Sequence, residues 1–346
     1  MKDSVYKEQL KFLSDHLSGK TVLVSGSTGL VGARIMALLS LLHKEYDRSI
    51  RGIGLYRSES KLYKVFPTVP EGIEMSKWDS DSEGMPEVAQ YDAIIHCAGI
   101  SGGKKMHLKD PRKIFFTNVC GTRKLLDFNA QTARAPFLFV STYEVYGDVQ
   151  QEEQIKEDHP VRLDTFTLRN SYAEMKRMCE MMCCMWSSQF GFDSYSVRLT
   201  STFGTGVEYD DPRFFAEFAR CIIEERDIVL KSAGGTVRSY LDADDAAVAM
   251  LRILSAGQNG NAYNLTNMGN AISIRDIARQ MIDVSKSGIG LKFDIAEDST
   301  KLGFRKEGCT LMDASKLMAL GWEPVYTLDE TILKMINSMR NHRENN

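Results

Sequence analysis

The chain has 346 residues, 43% of them apolar and 26% charged, with a net charge of −3 at neutral pH. That is apolar material for about two packed domains and too much for a disordered chain. No basic stretch is interleaved with aromatics, which argues against a nucleic-acid surface, and the early apolar run IMALLSLL is too short to span a bilayer.

The opening segment, MKDSVYKEQLKFL, is too polar for a secretory signal. It predicts an amphipathic helix over 1–18 with Val5, Leu10, Leu13 and Leu17 facing inward. KTVLVSGSTGLVGARIMALLSLL then reads as strand, glycine-rich turn and helix. Gly26, Gly29 and Gly32 give G-x-x-G-x-x-G, with Thr28, Leu30 and Val31 between them. Glycine permits the tight turn and lets backbone N–H groups approach a pyrophosphate at the helix N-terminus, so this stretch predicts a dinucleotide site.

IRGIGLYR is the second strand. An acidic residue at its end would bind a ribose 2′-OH; here stand Tyr56 and Arg57, followed by Ser58 and Lys61. Arginine at this place accommodates a 2′-phosphate, so Arg57 favours NADP over NAD. Past a further short strand, Asp79 in KWDSDS can accept a hydrogen bond from the adenine amino group.

YDAIIHCAG is an apolar run ended by Gly99, PRKIFFTNVCGTRKLLDFNAQ is helical, and APFLFVSTYEV is a strand. SYAEMKRMCEMMCCMWSSQFG is a long helix closed by Gly191, and DSYSVRLTSTFG is again a strand. Strands alternating with helices predict an α/β protein, a Rossmann-type doubly wound parallel sheet over residues 1–200. Beyond residue 200 the short strands DIVLKSAG, NAYNLTN and LKFDIAE mix with the helices DPRFFAEFARCIIEE, SIRDIARQMIDVS and TLDETILKMINSM. These predict a smaller α/β substrate-binding domain over 201–346, partly interleaved with the first.

Seven cysteines occur without a C-x-x-C pair, and Cys179, Cys183 and Cys184 share a helix with no His or Asp to complete a ligand set. They read as soft packing residues; no metal is expected, and the odd count points to a reducing cytoplasm.

The stretch VSTYEVYGD collects polar groups at a strand's end: Ser141, Thr142, Tyr143 and Glu144. In open parallel sheets, strand carboxyl ends are where ligands bind. One connection later, Tyr172 and Lys176 stand four apart on the long helix and share a face. A lysine ammonium beside a phenol favours the phenolate. Such a tyrosine can take a proton from an alcohol while hydride leaves the same carbon. Thr142 can hold that alcohol in place.

GSTGLVG, HCAG, NVCGT, STYEVYGD, SYAEMK, VRLTSTFGTG, VRSYLDADDAA, YNLTN and DASKLMALGWEP, in this order, cover nearly the whole chain. Here the sequence resembles the extended short-chain dehydrogenases/reductases, specifically the nucleotide-sugar epimerases, dehydratases and decarboxylases. The resemblance implies an NAD(P)-dependent enzyme on a nucleotide-sugar, working through a 4-keto intermediate. Thr142 takes the Ser/Thr role, Tyr172 is the base, and Lys176 also binds the nicotinamide ribose. Ala98, Gly99 and Asn118 fall in cofactor-contacting motifs, and Arg238 matches an arginine that contacts the diphosphate. The family also implies a homodimer, with helices at about 111–130 and 172–190 forming a four-helix bundle. Two positions depart from its pattern: Ser201 replaces a diphosphate-contacting asparagine, and Thr205 replaces a proline.

Thr142 and Glu144 form T-x-E, as in the family's dehydratases and decarboxylases, where simple epimerases carry a small or neutral residue at the glutamate position. Tyr143, inside the substrate pocket, matches neither the aspartate nor the serine those enzymes carry between them. The expected reaction is therefore 4,6-dehydratase-like or uronate decarboxylase-like, with 4-epimerisation as the alternative. A redox-inactive dinucleotide sensor is the alternative of another class. It conflicts with the retained tyrosine and lysine, and a reductase of a non-sugar carbonyl conflicts with Arg238.

Overall fold

The computed structural model describes residues 2–82, 84–100, 110–147, 149, 154–295 and 308–344. In chain order come α1 (Lys2–Leu17), β1 (Thr21–Ser25), α2 (Leu30–Glu45), β2 (Arg51–Tyr56), α3 (Glu59–Val65), β3 (Ile73–Lys77) and β4 (Ala93–His96). Next are α4 (Pro111–Phe115), α5 (Gly121–Gln131), β5 (Phe137–Thr142), α6 (Ser171–Phe190), β6 (Ser194–Leu199) and β7 (Ser201–Phe203). The remainder holds α7 (Phe214–Ile223), β8 (Ile228–Leu230), β9 (Val237–Asp242), α8 (Ala243–Ala256) and β10 (Asn261–Leu265). It continues with β11 (Ala271–Ser273), α9 (Ile274–Ser285), β12 (Leu291–Phe293), β13 (Cys309–Thr310), α10 (Ser315–Met318) and α11 (Leu328–Glu344).

Seven parallel strands form the main sheet in the order β3-β2-β1-β4-β5-β6-β10. The order reverses between β1 and β4, which opens a crevice at the strands' carboxyl ends. Strand alternation sends Val22, Val24, Ile95, Leu138 and Val140 to one face, against α1, α2 and α8. Leu23, Ile53, Ile94, Phe137 and Phe139 go to the other, against α5 and α6. A separate core, with Phe203, Phe215, Tyr240, Met281 and Met335, lies under the short strands of the C-terminal half.

Three features differ from the sequence expectation. DSYSVRLTSTFG is two strands: β6 pairs with β5, while β7 leaves the sheet after Thr200 and pairs with β9. Alternation runs on through Thr200, so periodicity carries no sign of the switch. NAYNLTN forms β10, the edge of the main sheet rather than a strand of the smaller one. PRKIFFTNVCGTRKLLDFNAQ is interrupted by a π-helical turn over Phe116–Cys120. Helices α3, α8 and α10 have no counterpart in the sequence expectation; α8 has ten of its 14 residues buried, so it shows little polar face. Its Asp245 is tolerated inside because the Val325 and Tyr326 N–H groups, each at 3.0 Å, donate to its carboxylate. Of the predicted first-helix apolar residues, Leu10, Leu13 and Leu17 are buried and Val5 is half-buried. All seven cysteines are free thiols.

Candidate active site

The glycine turn sits where β1 meets α2. Gly26 has φ +68°, and a Cβ there would stand 2.7 Å from the Ala98 backbone nitrogen. Only glycine allows this closeness between the turn and the end of β4. Gly29 caps α2 without any side-chain hydrogen bond. First-turn N–H groups have no intrahelical partner, so Leu30, Val31 and Gly32 present donors, with Thr28 in the turn before them.

Across the crevice, Asn118 clamps the end of β4. Its side chain accepts from the Ile100 N–H at 2.9 Å and donates to the Ile100 carbonyl at 3.2 Å. The Asn118 carbonyl accepts from Thr122 Oγ1 at 2.5 Å and Cys179 Sγ at 3.4 Å. A Cβ at Gly99 would meet Asn118 Oδ1 at 2.7 Å and Lys176 Nζ at 3.2 Å. The turn, Gly99 and Asn118 thus form a groove of backbone, the kind of cradle a dinucleotide needs.

At the ends of β2 and β3, Arg57 is 56% exposed, with NH1 3.9 Å from Asp81 Oδ2. Asp79 accepts from the Asp81 N–H at 3.0 Å. Asp81, which also accepts from Thr117 Oγ1 at 3.1 Å, was missed in the sequence although it lies two residues from Asp79.

Thr142 is the last residue of β5, and its hydroxyl lies near enough to the Tyr172 phenol to oppose the rise in that phenol's pKa. Lys176, one turn along α6, is buried and donates to the Val140 carbonyl at 2.8 Å. Its Nζ lies 6.0 Å from the Tyr172 ring centre. Burial pushes the lysine's pKa down. The phenol is not activated as the spacing predicts. Burial raises the Tyr172 pKa first and the Glu144 charge second, against the Thr142 hydrogen bond and the Arg213 charge.

Glu144 also departs from expectation. It does not share a strand face with Thr142, because β5 ends there and Tyr143–Tyr146 is a 3-10 turn. The Glu144 N–H donates to Thr142 Oγ1 at 3.3 Å, which folds the carboxylate back towards the strand end. Arg169 then donates to Glu144 from NH1 at 3.0 Å and from NH2 at 3.5 Å. Arg169 lies three residues before Tyr172, and no periodic signal singled it out.

Two further cations reach the same place. The Arg238 guanidinium stands 5.6 Å from the Tyr143 ring centre. Arg213, just before α7, is forked onto Asp211 at 3.0 and 2.6 Å and lies 4.6 Å from the Phe215 ring centre. Ser201 opens β7 opposite Tyr240, two residues along β9 from Arg238. Positive charge from three distant chain segments therefore converges beside a phenol and a carboxylate, an arrangement suited to an anionic substrate. Among the described residues, no three of His, Cys, Asp and Glu converge as a metal would require, and no helix is long and apolar enough to cross a membrane.

The fold and the crevice together define a dinucleotide-binding α/β protein with a hydroxyl, a phenol and an ammonium gathered at the strand ends. The chain belongs to the NAD dependent epimerase/dehydratase family, whose model matches residues 22–269. It is 27% identical over 342 residues to UDP-glucuronic acid decarboxylase 1 of Xenopus tropicalis, covering 97% of this chain and 76% of that one. It is 25% identical over 335 residues to GDP-6-deoxy-D-mannose reductase of Pseudomonas aeruginosa, covering 91% and 96%. Its fold is similar to that of dTDP-glucose 4,6-dehydratase from Bacillus anthracis in complex with NAD. That match has a TM-score of 0.75 at 17% identity, covering 94% of this chain and 98% of that one.

Proposed function

We propose that this protein oxidises C4 of a nucleotide-linked sugar and that a uronate is the sugar its site fits best. The observation that carries the reading is the gathering of Thr142, Tyr172 and Lys176 at the end of β5, beside the paired Glu144 and Arg169. Thr142 orients the C4 hydroxyl and Tyr172 accepts its proton. Gly26, Thr28, Gly29, Leu30, Val31, Gly32, Ala98, Gly99, Asn118 and Lys176 hold the nicotinamide dinucleotide. That group, when bound, supplies the acceptor for the C4 hydride and adds positive charge that favours the phenolate. Arg213 and Arg238 face the anionic part of the substrate, with Ser201 and Tyr143 lining the pocket.

Arg169 supports one branch over the other. Arg169 NH1 already occupies a Glu144 carboxylate oxygen at 3.0 Å, which argues against Glu144 as a free acceptor of the C5 proton. Decarboxylation needs no such base. In a 4-keto uronate the C6 carboxylate is β to the ketone; the C5–C6 bond breaks, CO2 leaves, and the electron pair enters the C4 enolate. C5 then takes a proton. The similarity to UDP-glucuronic acid decarboxylases supports this order of preference. A 4,6-dehydratase is the second reading, because the Glu144 charge is felt at Tyr172 and so lies close to the sugar. Product mass separates the branches: a UDP-uronate should lose CO2. Loss of water from a neutral hexose substrate would favour the second reading, and an unchanged mass with inverted C4 would overturn both.

For the cofactor, Arg57 supports NADP. Arg57→Ala should lower NADP affinity and leave NAD affinity in place, measured by fluorescence titration of cofactor-stripped protein. An unchanged ratio would make Arg57 a solvated surface residue.

The protein assembles as a homodimer through α4, α5 and α6. Met178, Met181 and Met185 lie on one face of α6 and are each about half exposed, as are Phe115 and Phe116 on the neighbouring segment. A second copy would cover this stripe. Light scattering at micromolar concentration should read two chains, and Met181→Asp should read one. A monomeric wild type would contradict the assembly.

A further inference from the structure

Beneath the reacting groups runs a row of polar side chains that the proposed chemistry does not use. In the parallel register, Ser141 on β5 lies beside Arg198 on β6, and Arg198 lies beside Asn264 on β10. All three therefore project to the sheet face covered by α6. Ser141 Oγ donates to Glu180 Oε1 at 2.6 Å. Arg198 donates to both Glu180 oxygens, from Nε at 3.2 Å and from NH2 at 2.9 Å. Its NH1 donates to the Tyr146 hydroxyl at 3.0 Å and to the Glu157 carbonyl at 2.7 Å. Tyr146 in turn donates to Asn264 Oδ1 at 2.6 Å.

The ends of this row are informative. Glu180 is one helical turn past Lys176, on the helix that carries Tyr172. Tyr146 is the last residue of the 3-10 turn that carries Glu144. Two consecutive β5 residues hold α6: the Val140 carbonyl takes Lys176 and Ser141 takes Glu180. Arg198 is the one group of this row that touches both the helix and the turn.

We propose that Arg198 is a positioning residue that braces the Glu144-bearing turn against the Tyr172-bearing helix, through Tyr146 on one side and Glu180 with Ser141 on the other. This rests on the C4-oxidation reading for its effect on turnover, but not for its effect on the turn. Arg198 and Glu180 are each 14% exposed at the side chain, so the fork is largely desolvated and geometrically exacting. A displacement of about 1 Å between reacting groups costs on the order of 10² in rate. A cavity of about 260 Å³ opens beside the pair, lined by Arg177, Glu180, Ser196, Arg198 and Asn261. A free guanidinium ion can reach the place of a truncated Arg198 through it.

Arg198→Ala should lower kcat by about 10–10² while KM for the sugar and the cofactor Kd stay within about threefold. Added guanidinium should restore kcat several-fold, and Arg198→Lys should keep part of it. Hydrogen exchange gives a readout that needs no substrate. The Gly147 N–H, which donates to the Glu144 carbonyl at 3.0 Å, should exchange faster in Arg198→Ala and slow again with guanidinium. Should Arg198→Ala fail to fold, Ser141→Ala removes one bond to Glu180 and should give the same pattern at smaller amplitude. Unchanged exchange across the turn would overturn the brace whatever the sugar chemistry proves to be. So would a kcat loss matched by an equal loss of cofactor affinity, or one that guanidinium does not reverse. Absence of cofactor reduction in wild type with every nucleotide-sugar would overturn the proposed function instead, leaving the exchange result to judge the brace.

Discussion

Tyr172→Phe should cut turnover by about 10²–10⁴ while leaving the fold and cofactor affinity intact, since the phenyl ring keeps the packing and loses only the proton acceptor. The hydroxyl it removes is the proposed proton acceptor, so the alcohol to be oxidised loses that acceptor. The pH dependence carries a second signature. Burial, then the Glu144 charge, hold the phenol above its ordinary range in the free protein. The phenolate fraction grows as pH rises, so the rate should climb on the alkaline side in wild type and lose that limb in Tyr172→Phe. Turnover within a few-fold of wild type would remove Tyr172 from the base role.

Glu144→Gln should let C4 oxidation proceed and stall the steps after it, with product formation falling by about 10² and reduced cofactor accumulating in its absorbance band. The amide keeps the size of the side chain and an acceptor for Arg169, but it cannot relay a proton to or from C5. Removing the carboxylate also removes a charge that raises the Tyr172 pKa. The alkaline limb of C4 oxidation should therefore shift to lower pH, a displacement that loss of packing alone would not produce. With a uronate, CO2 release should persist while protonation of C5 slows; with a neutral hexose, exchange of the C5 hydrogen with deuterated water should stop. Product formation at the wild-type rate in Glu144→Gln would take the carboxylate out of the reaction.

Much of the dinucleotide half was legible because its signals are local. A tight glycine turn between an apolar strand and a helix has one economical use, and Gly26 meets Ala98 as that use requires. Strand and helix alternation predicts the doubly wound sheet, since each element's periodicity reflects the faces it buries. The spacing of Tyr172 and Lys176 is enough to place both side chains on one face of α6.

What folding alone decided depends on contacts between distant segments or on desolvation, neither of which has a period. Arg169 on Glu144, Arg213 near Tyr172 and Arg238 near Tyr143 meet because different loops close over one crevice. The switch at Thr200 is invisible because a strand alternates in the same way in either sheet. The π-turn at Phe116–Cys120 leaves composition and spacing unchanged, so nothing in the sequence marks it. Glu144 reads as a strand residue because VSTYEV is β-prone, whereas the chain turns at Tyr143. The Tyr172 phenol goes the opposite way from its spacing to lysine, because a pKa is set by burial and every nearby charge, and those are properties of the assembled site.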